Sequence, residues 1–162
     1  MAQITRGKIA GSWQKHLSIF PDDRGMLTEL IRTDEPYFGS DFAGFGQTTF
    51  TMSYPGVIKA FHWHRGQDDA WFCVKGNIQA VMYDLRADSP TQGMTEVVYM
   101  GESRPVVLII PRGVAHGYRV LGGEPAYVIY HASTPYNPSA PDEERIDFDD
   151  PKIGFDWETR PR

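Results

Sequence analysis

Three histidines carry most of the reactive chemistry in this chain. His62 and His64 sit two residues apart in the run Gly56 to Gly76. In an extended chain, alternate side chains point to opposite faces. The two imidazoles therefore share one face, and Phe61 and Trp63 share the other. His116 follows the turn Pro111-Arg112-Gly113 and is expected on the same side, from a later strand. An imidazole near its ordinary pKa can take up a proton at neutral pH. Three imidazoles with the carboxylate of Asp69 could instead hold a divalent metal such as Fe, Mn, Ni or Zn. Each ring taken singly also fits a hydrogen-bonded histidine in a polar cavity, so the case rests on the rings meeting.

The elements that must position these rings read as strands. Helical periodicity is weak, and short β-rich runs alternate with Gly, Pro, Asp and Asn. That pattern predicts an antiparallel barrel or sandwich of about nine strands. Val57 to His64 is the histidine strand. Ala70 to Lys75 and Ile78 to Leu85 flank Gly76-Asn77, a hairpin signal. Tyr118 to Leu121 and Ala126 to His131 are expected to pair across Gly122-Gly123. The arrangement divides into N-terminal strands over residues 1–53, a barrel core over 54–135 and a tail over 136–162. Ile153 to Trp157 is expected to pack on the outside of the barrel, whose open mouth is where such folds bind ligands.

A chain of 162 residues suits one domain. Its net charge of −5 disfavours a general nucleic-acid binder but leaves room for a small anionic ligand beside a local basic cluster. The one cysteine, Cys73, fits a reducing compartment. No apolar run reaches membrane-spanning length, and the first residues lack a signal-peptide core, so a cytoplasmic protein without membrane contact is expected.

Arg24-Gly25, His62, Asp84-Leu85-Arg86 with Ser89-Pro90-Thr91, Ile110-Pro111, Gly113, His116-Gly117-Tyr118 and Tyr130 form a recognisable series. On these residues the chain resembles the dTDP-4-dehydrorhamnose 3,5-epimerase family of cupin-fold proteins. The resemblance implies an all-β, double-stranded β-helix (cupin, or jelly-roll) barrel and a homodimeric, cofactor-free epimerase. Its substrate would be a nucleotide-linked 4-keto-6-deoxy sugar of deoxysugar or cell-surface polysaccharide biosynthesis. By the family pattern His62 would be the base and Tyr130 the acid. His116, with His64, would stand by the sugar or its oxyanion, and Tyr136 would line the sugar site. Arg24 and Lys59 would hold the pyrophosphate, while Glu29 and Gln47 would meet the nucleotide. Strict alternation puts Lys59 on the face opposite His62, so its role requires a bend or bulge.

The chain also departs from the pattern. Asp69 stands where the family has a lysine near the enolate oxygen, Thr49 replaces a nucleotide-binding Asn, and the C-terminal aspartate that orients the base has no counterpart. An alternative follows from the same residues. The spacing of Gly56, His62, His64, Asp69 and Gly76, with Pro111, Gly113 and His116, matches the two metal-cupin motifs with Asp for Glu. That reading is a metal-dependent isomerase or dioxygenase with His62, His64, Asp69 and His116 as ligands. The missing lysine and aspartate also fit a barrel that binds a sugar nucleotide without catalysis. By residue type alone, Tyr130, Trp63, Trp71, Phe72 and Cys73 read as core or interface, and Asp142-Glu143-Glu144 as solvated surface.

Overall fold

The computed structural model describes residues 2–159. Thirteen strands occur among these residues. In chain order they are β1 (Gln3–Arg6), β2 (Trp13–His16), β3 (Phe20–Asp22), β4 (Gly25–Leu27), β5 (Gln47–Ser53), β6 (Ile58–Trp63) and β7 (Asp69–Lys75). There follow β8 (Asn77–Asp84), β9 (Thr95–Gly101), β10 (Val106–Ile110), β11 (Val114–Leu121), β12 (Ala126–Ala132) and β13 (Glu144–Arg145).

They form two facing sheets, one ordered β1-β2-β10-β7-β12-β5 and the other β13-β6-β11-β8-β9. The hairpin β3-β4 stands apart. Antiparallel pairing and repeated crossing between the sheets make this a jelly-roll barrel, as the strand pattern predicts.

Gly76-Asn77 and Gly122-Gly123 do not close hairpins. β7 belongs to the first sheet and β8 to the second, and β11 and β12 are likewise split between them. The glycines are corners at which the chain changes sheet. Gly76 has φ of 75°, and an added Cβ would lie 2.5 Å from the Pro125 carbonyl oxygen, so the corner is too tight for a side chain. The local turn signal was real. The partner choice was set by the core, because crossing lets both strands turn an apolar face inward.

Three apolar layers result. The inner layer joins both sheets through residues such as Cys73, Ile78, Met82, Leu108, Ile110, Val120 and Val128. On the outer face of the larger sheet, Trp13, Ala70, Val107 and Ile109 are covered by Tyr37 and Phe42 from the β4-β5 connection. On the outer face of the smaller sheet, Phe61, Val81 and Ala115 are covered by Ile153 and Trp157, the tail packing expected. Among the described residues no helix is long and apolar enough to cross a membrane.

Candidate active site

His62 and His64 face inward from the end of β6, while Phe61 is buried on the outer side with Trp157. His116 on β11 lies opposite His62 in register, and their ring centroids are 4.2 Å apart. Asp69 opens β7 on the facing sheet. One ligand-type atom from each of His62, His64, Asp69 and His116 lies within 4.8 Å of all the others. The rings therefore meet.

The cluster sits at the bottom of a cavity of about 880 Å³. That is within the usual range for small-molecule sites. Gln47, Lys59, His62, His64, Asp69, Tyr130 and Tyr136 all line it. Tyr130 comes from β12 and His62 from β6, so the two stand on opposing sheets. Trp71 forms the floor, stacked on His62 at 6.0 Å between centroids and edge-on to His116 at 5.0 Å. Its buried indole N–H has no acceptor among the described residues. A buried donor of this kind normally finds a partner in water or ligand.

Lys59 reaches the cavity through a bulge. His116 pairs with His62 but Tyr118 pairs with Lys59, so β6 carries one extra residue across this interval. The bulge turns Lys59 to the side of His62. Gly117 makes room for it, because a Cβ there would lie 2.3 Å from Ala60 Cβ and 2.6 Å from the Lys59 carbonyl oxygen. Lys59 Nζ donates to Thr51 Oγ1 at 3.1 Å.

Burial, and then the neighbouring His116, hold the His62 imidazole well below the ordinary histidine value. Burial, and then the charge of Asp69, push the Tyr130 phenol upward. Burial alone would raise Asp69, but its hydrogen bond with His116 keeps the carboxyl below its usual value.

Several expected residues stand elsewhere. His116 does not line the cavity; it is buried behind Asp69, with Nε2 at 3.2 Å from Oδ2. The cause is the register of β11, which places its ring beneath His62 rather than beside a sugar. Arg24 and Glu29 are also outside the cavity of their own chain. Arg24 is exposed at the tip of the β3-β4 hairpin and pairs with Asp22, and Glu29 pairs with Arg32. The hairpin projects because its residues pair only with each other. The Asp84 series is a structural knot. Its carboxylate accepts from Arg86, Ser89 and Thr91, while Arg86 and Thr91 bind the backbone of Ala10. None of these residues lines the cavity.

The acidic run is not simply solvated surface. β13 pairs with β6 at His62 and Trp63, and Asp142, Glu143 and Arg145 line the mouth. Asp142 accepts from the backbone N–H of Arg65 and Gly66 at 2.8 Å each, and its carbonyl accepts from His64 Nδ1. Gln67 and Thr134 also line the cavity. The prolines at 135, 138 and 141 were the available signal, since such spacing favours an extended strap.

A jelly-roll whose open end gathers histidines from several strands defines a cupin-type barrel with a small-molecule site in its mouth. The family model described as dTDP-4-dehydrorhamnose 3,5-epimerase matches residues 6–162. The chain is 54% identical over 151 residues to the spore coat polysaccharide biosynthesis protein SpsL of Bacillus subtilis, covering 93% of this chain and 97% of the relative. It is 39% identical over 144 residues to a probable low-salt glycan biosynthesis epimerase of Haloferax volcanii, covering 88% and 90%. A dTDP-6-deoxy-D-glucose-3,5-epimerase of Legionella pneumophila, solved with dTDP-4-keto-L-rhamnose, superposes with a TM-score of 0.86 at 27% identity. It covers 97% of this chain and 84% of that one. The chain belongs to the dTDP-4-dehydrorhamnose 3,5-epimerase family, and is an isomerase-class sugar-nucleotide epimerase.

Proposed function

We propose that the protein epimerises a nucleotide-linked 4-keto-6-deoxy sugar at C3, C5 or both, in the biosynthesis of a deoxysugar or cell-surface polysaccharide. The observation that carries this reading is the placement of His62 and Tyr130 on opposing sheets across one cavity. Inversion needs a base on one face of the sugar and an acid on the other. His62, neutral because it is buried, takes the proton from the carbon next to the ketone. The electron pair moves onto the C4 oxygen as an enolate. Tyr130, which burial keeps protonated, returns a proton to the carbon from the opposite face. The histidine then gives up its proton and the phenolate regains one from water.

Lys59 and Arg145, which line the mouth, supply positive charge for the diphosphate, Gln47 meets the nucleotide, and Tyr136 lines the sugar site. The protein acts as a homodimer in the cytoplasm, without nucleic acid or membrane. The exposed apolar residues Phe20, Met26 and Leu27 on the β3-β4 hairpin support the dimer. A hairpin that reaches the mouth of a second copy would also bring Arg24 and Glu29 to a substrate.

The test is incubation with dTDP-4-keto-6-deoxyglucose, and with other nucleotide analogues of it, in D2O. Deuterium should appear at C3 or C5, and H62A should abolish it. No incorporation from any of these sugars in wild-type protein would overturn the proposal.

A further inference from the structure

In the epimerase reaction the enolate oxygen has no obvious cation beside it, and Asp69 adds a negative charge where one would be expected to hurt. The hydrogen bonds around Asp69 point to what balances it. His116 Nδ1 lies 2.8 Å from the Val114 carbonyl, and His64 Nδ1 is bonded to the Asp142 carbonyl. A carbonyl can only accept, so both Nδ1 atoms carry hydrogen. This leaves both Nε2 atoms facing inward as the ring positions open to a ligand.

Those two nitrogens converge on a carboxylate. His116 Nε2 is 3.2 Å and His64 Nε2 3.7 Å from the same oxygen, Asp69 Oδ2. Ring nitrogens this close to a carboxylate oxygen need a cation between them, either a proton, which gives the His116–Asp69 hydrogen bond, or a metal ion in its place. The Gln67 amide answers part of this need, donating to Asp69 Oδ1 at 2.8 Å and lying 3.2 Å from His64 Nε2. It does not reach His116, whose Nε2 meets only the acid. All three groups are at least nine-tenths buried.

We propose that His64, Asp69 and His116 bind a divalent first-row transition metal ion. Bonds of about 2.0–2.2 Å to nitrogen and oxygen put neighbouring ligand atoms about 3.0–3.5 Å apart. The separations of 3.2 and 3.7 Å lie close to that range and all ligand atoms of the cluster are within 4.8 Å of one another, so binding draws the side chains together by about an ångström. Two imidazoles and one carboxylate leave coordination positions open. The backbone carbonyls that orient the rings are the outer partners such ligands usually have. The surroundings hold the three in place. Gly113 N–H donates to the His64 carbonyl at 2.8 Å, and Arg112 pairs with Asp68 at 2.7 Å, next to Asp69.

His62 is the fourth member of the cluster, but its ring makes no hydrogen bond among the described residues. Nothing therefore fixes its tautomer as it does for the other two, and it stays the base. The ion site stands on its own geometry. Its use, as a Lewis acid for the C4 oxygen in place of the lysine, rests on the epimerase reading.

The experiment is metal analysis of protein purified without chelators, followed by stripping and titration with Co2+ read by its visible absorption. One ion per chain is expected. D69N, close in shape to the native residue, and H116A should each lose stoichiometric binding while keeping a cooperative thermal transition. H62A should keep the ion and lose deuterium exchange. Wild-type protein that takes up no Co2+, or D69N and H116A that both bind it as wild type does, overturns the site. Loss of the ion in H62A overturns the three-ligand assignment. Exchange by wild-type protein without an ion overturns this inference and leaves the epimerase standing; an ion with no exchange does the reverse.

Discussion

Tyr130 illustrates how a residue's identity and its role separate. In the run Ala126 to Tyr130 it looks like one more apolar strand residue, yet it is half-buried with its ring against the cavity, 6.4 Å from Trp71 between centroids. Y130F removes the acid but not the base. Its epimerised product should fall by about 100-fold or more, while substrate deuteration by His62 persists. Comparing product yield with deuterium content by mass spectrometry separates the two. Asp84 is the converse case, a residue of the recognisable series that serves stability. Burial would raise its carboxyl, but Arg86, Ser89 and Thr91 hold it well below the usual range. Because the folded value is depressed, its stabilisation is complete above the unfolded pKa of about 3.9 and is lost as pH falls toward the folded value. Thermal scans from neutral pH downward should show D84N less stable than wild type at pH 7, with a shallower decline below about pH 4.

The β6 bulge decides which side chains can act together. Without it, Lys59 and His62 would face opposite sides. Nothing in the run Val57 to His64 announces the extra residue. Its condition lies on another strand, at Gly117, where only a missing Cβ permits β11 to pass so close to Ala60. G117A should therefore cost about 1–3 kcal/mol through overpacking, seen as a Tm lower by several degrees. It should also raise KM more than it lowers kcat, because Lys59 is displaced more than the neighbouring histidines. An equal fall in kcat at unchanged KM would show that the bulge serves the base instead. The C-terminal strap is a second element of this kind. Two residues of β13 could not be read as a strand from Glu144-Arg145, yet they set Arg145 opposite His62.

For the whole molecule, the projecting hairpin is the feature that a single copy does not explain. Met26 and Leu27 are 65% and 61% exposed, and Phe20 is 53% exposed beside them. Apolar groups clustered on a ribbon without packing are a marker of association. Sedimentation should give twice the 18.3 kDa chain mass. L27E combined with M26E should shift it to one chain mass and weaken substrate binding if the hairpin serves the partner's mouth. A monomer with full activity would remove the dimer from the mechanism.

The strand class, the shared face of His62 and His64, the inward His116 and the family relationship are all legible in the chain. Each depends on alternation or on short spacing, which local backbone geometry enforces whatever lies around it. The pairing at Gly76 and Gly122, the bulge at Lys59, the retreat of His116 behind Asp69 and the strap over the mouth are not legible. These depend on which strands face each other across the core. That choice is made by burying both sheets at once, so it belongs to contacts between residues far apart in the chain.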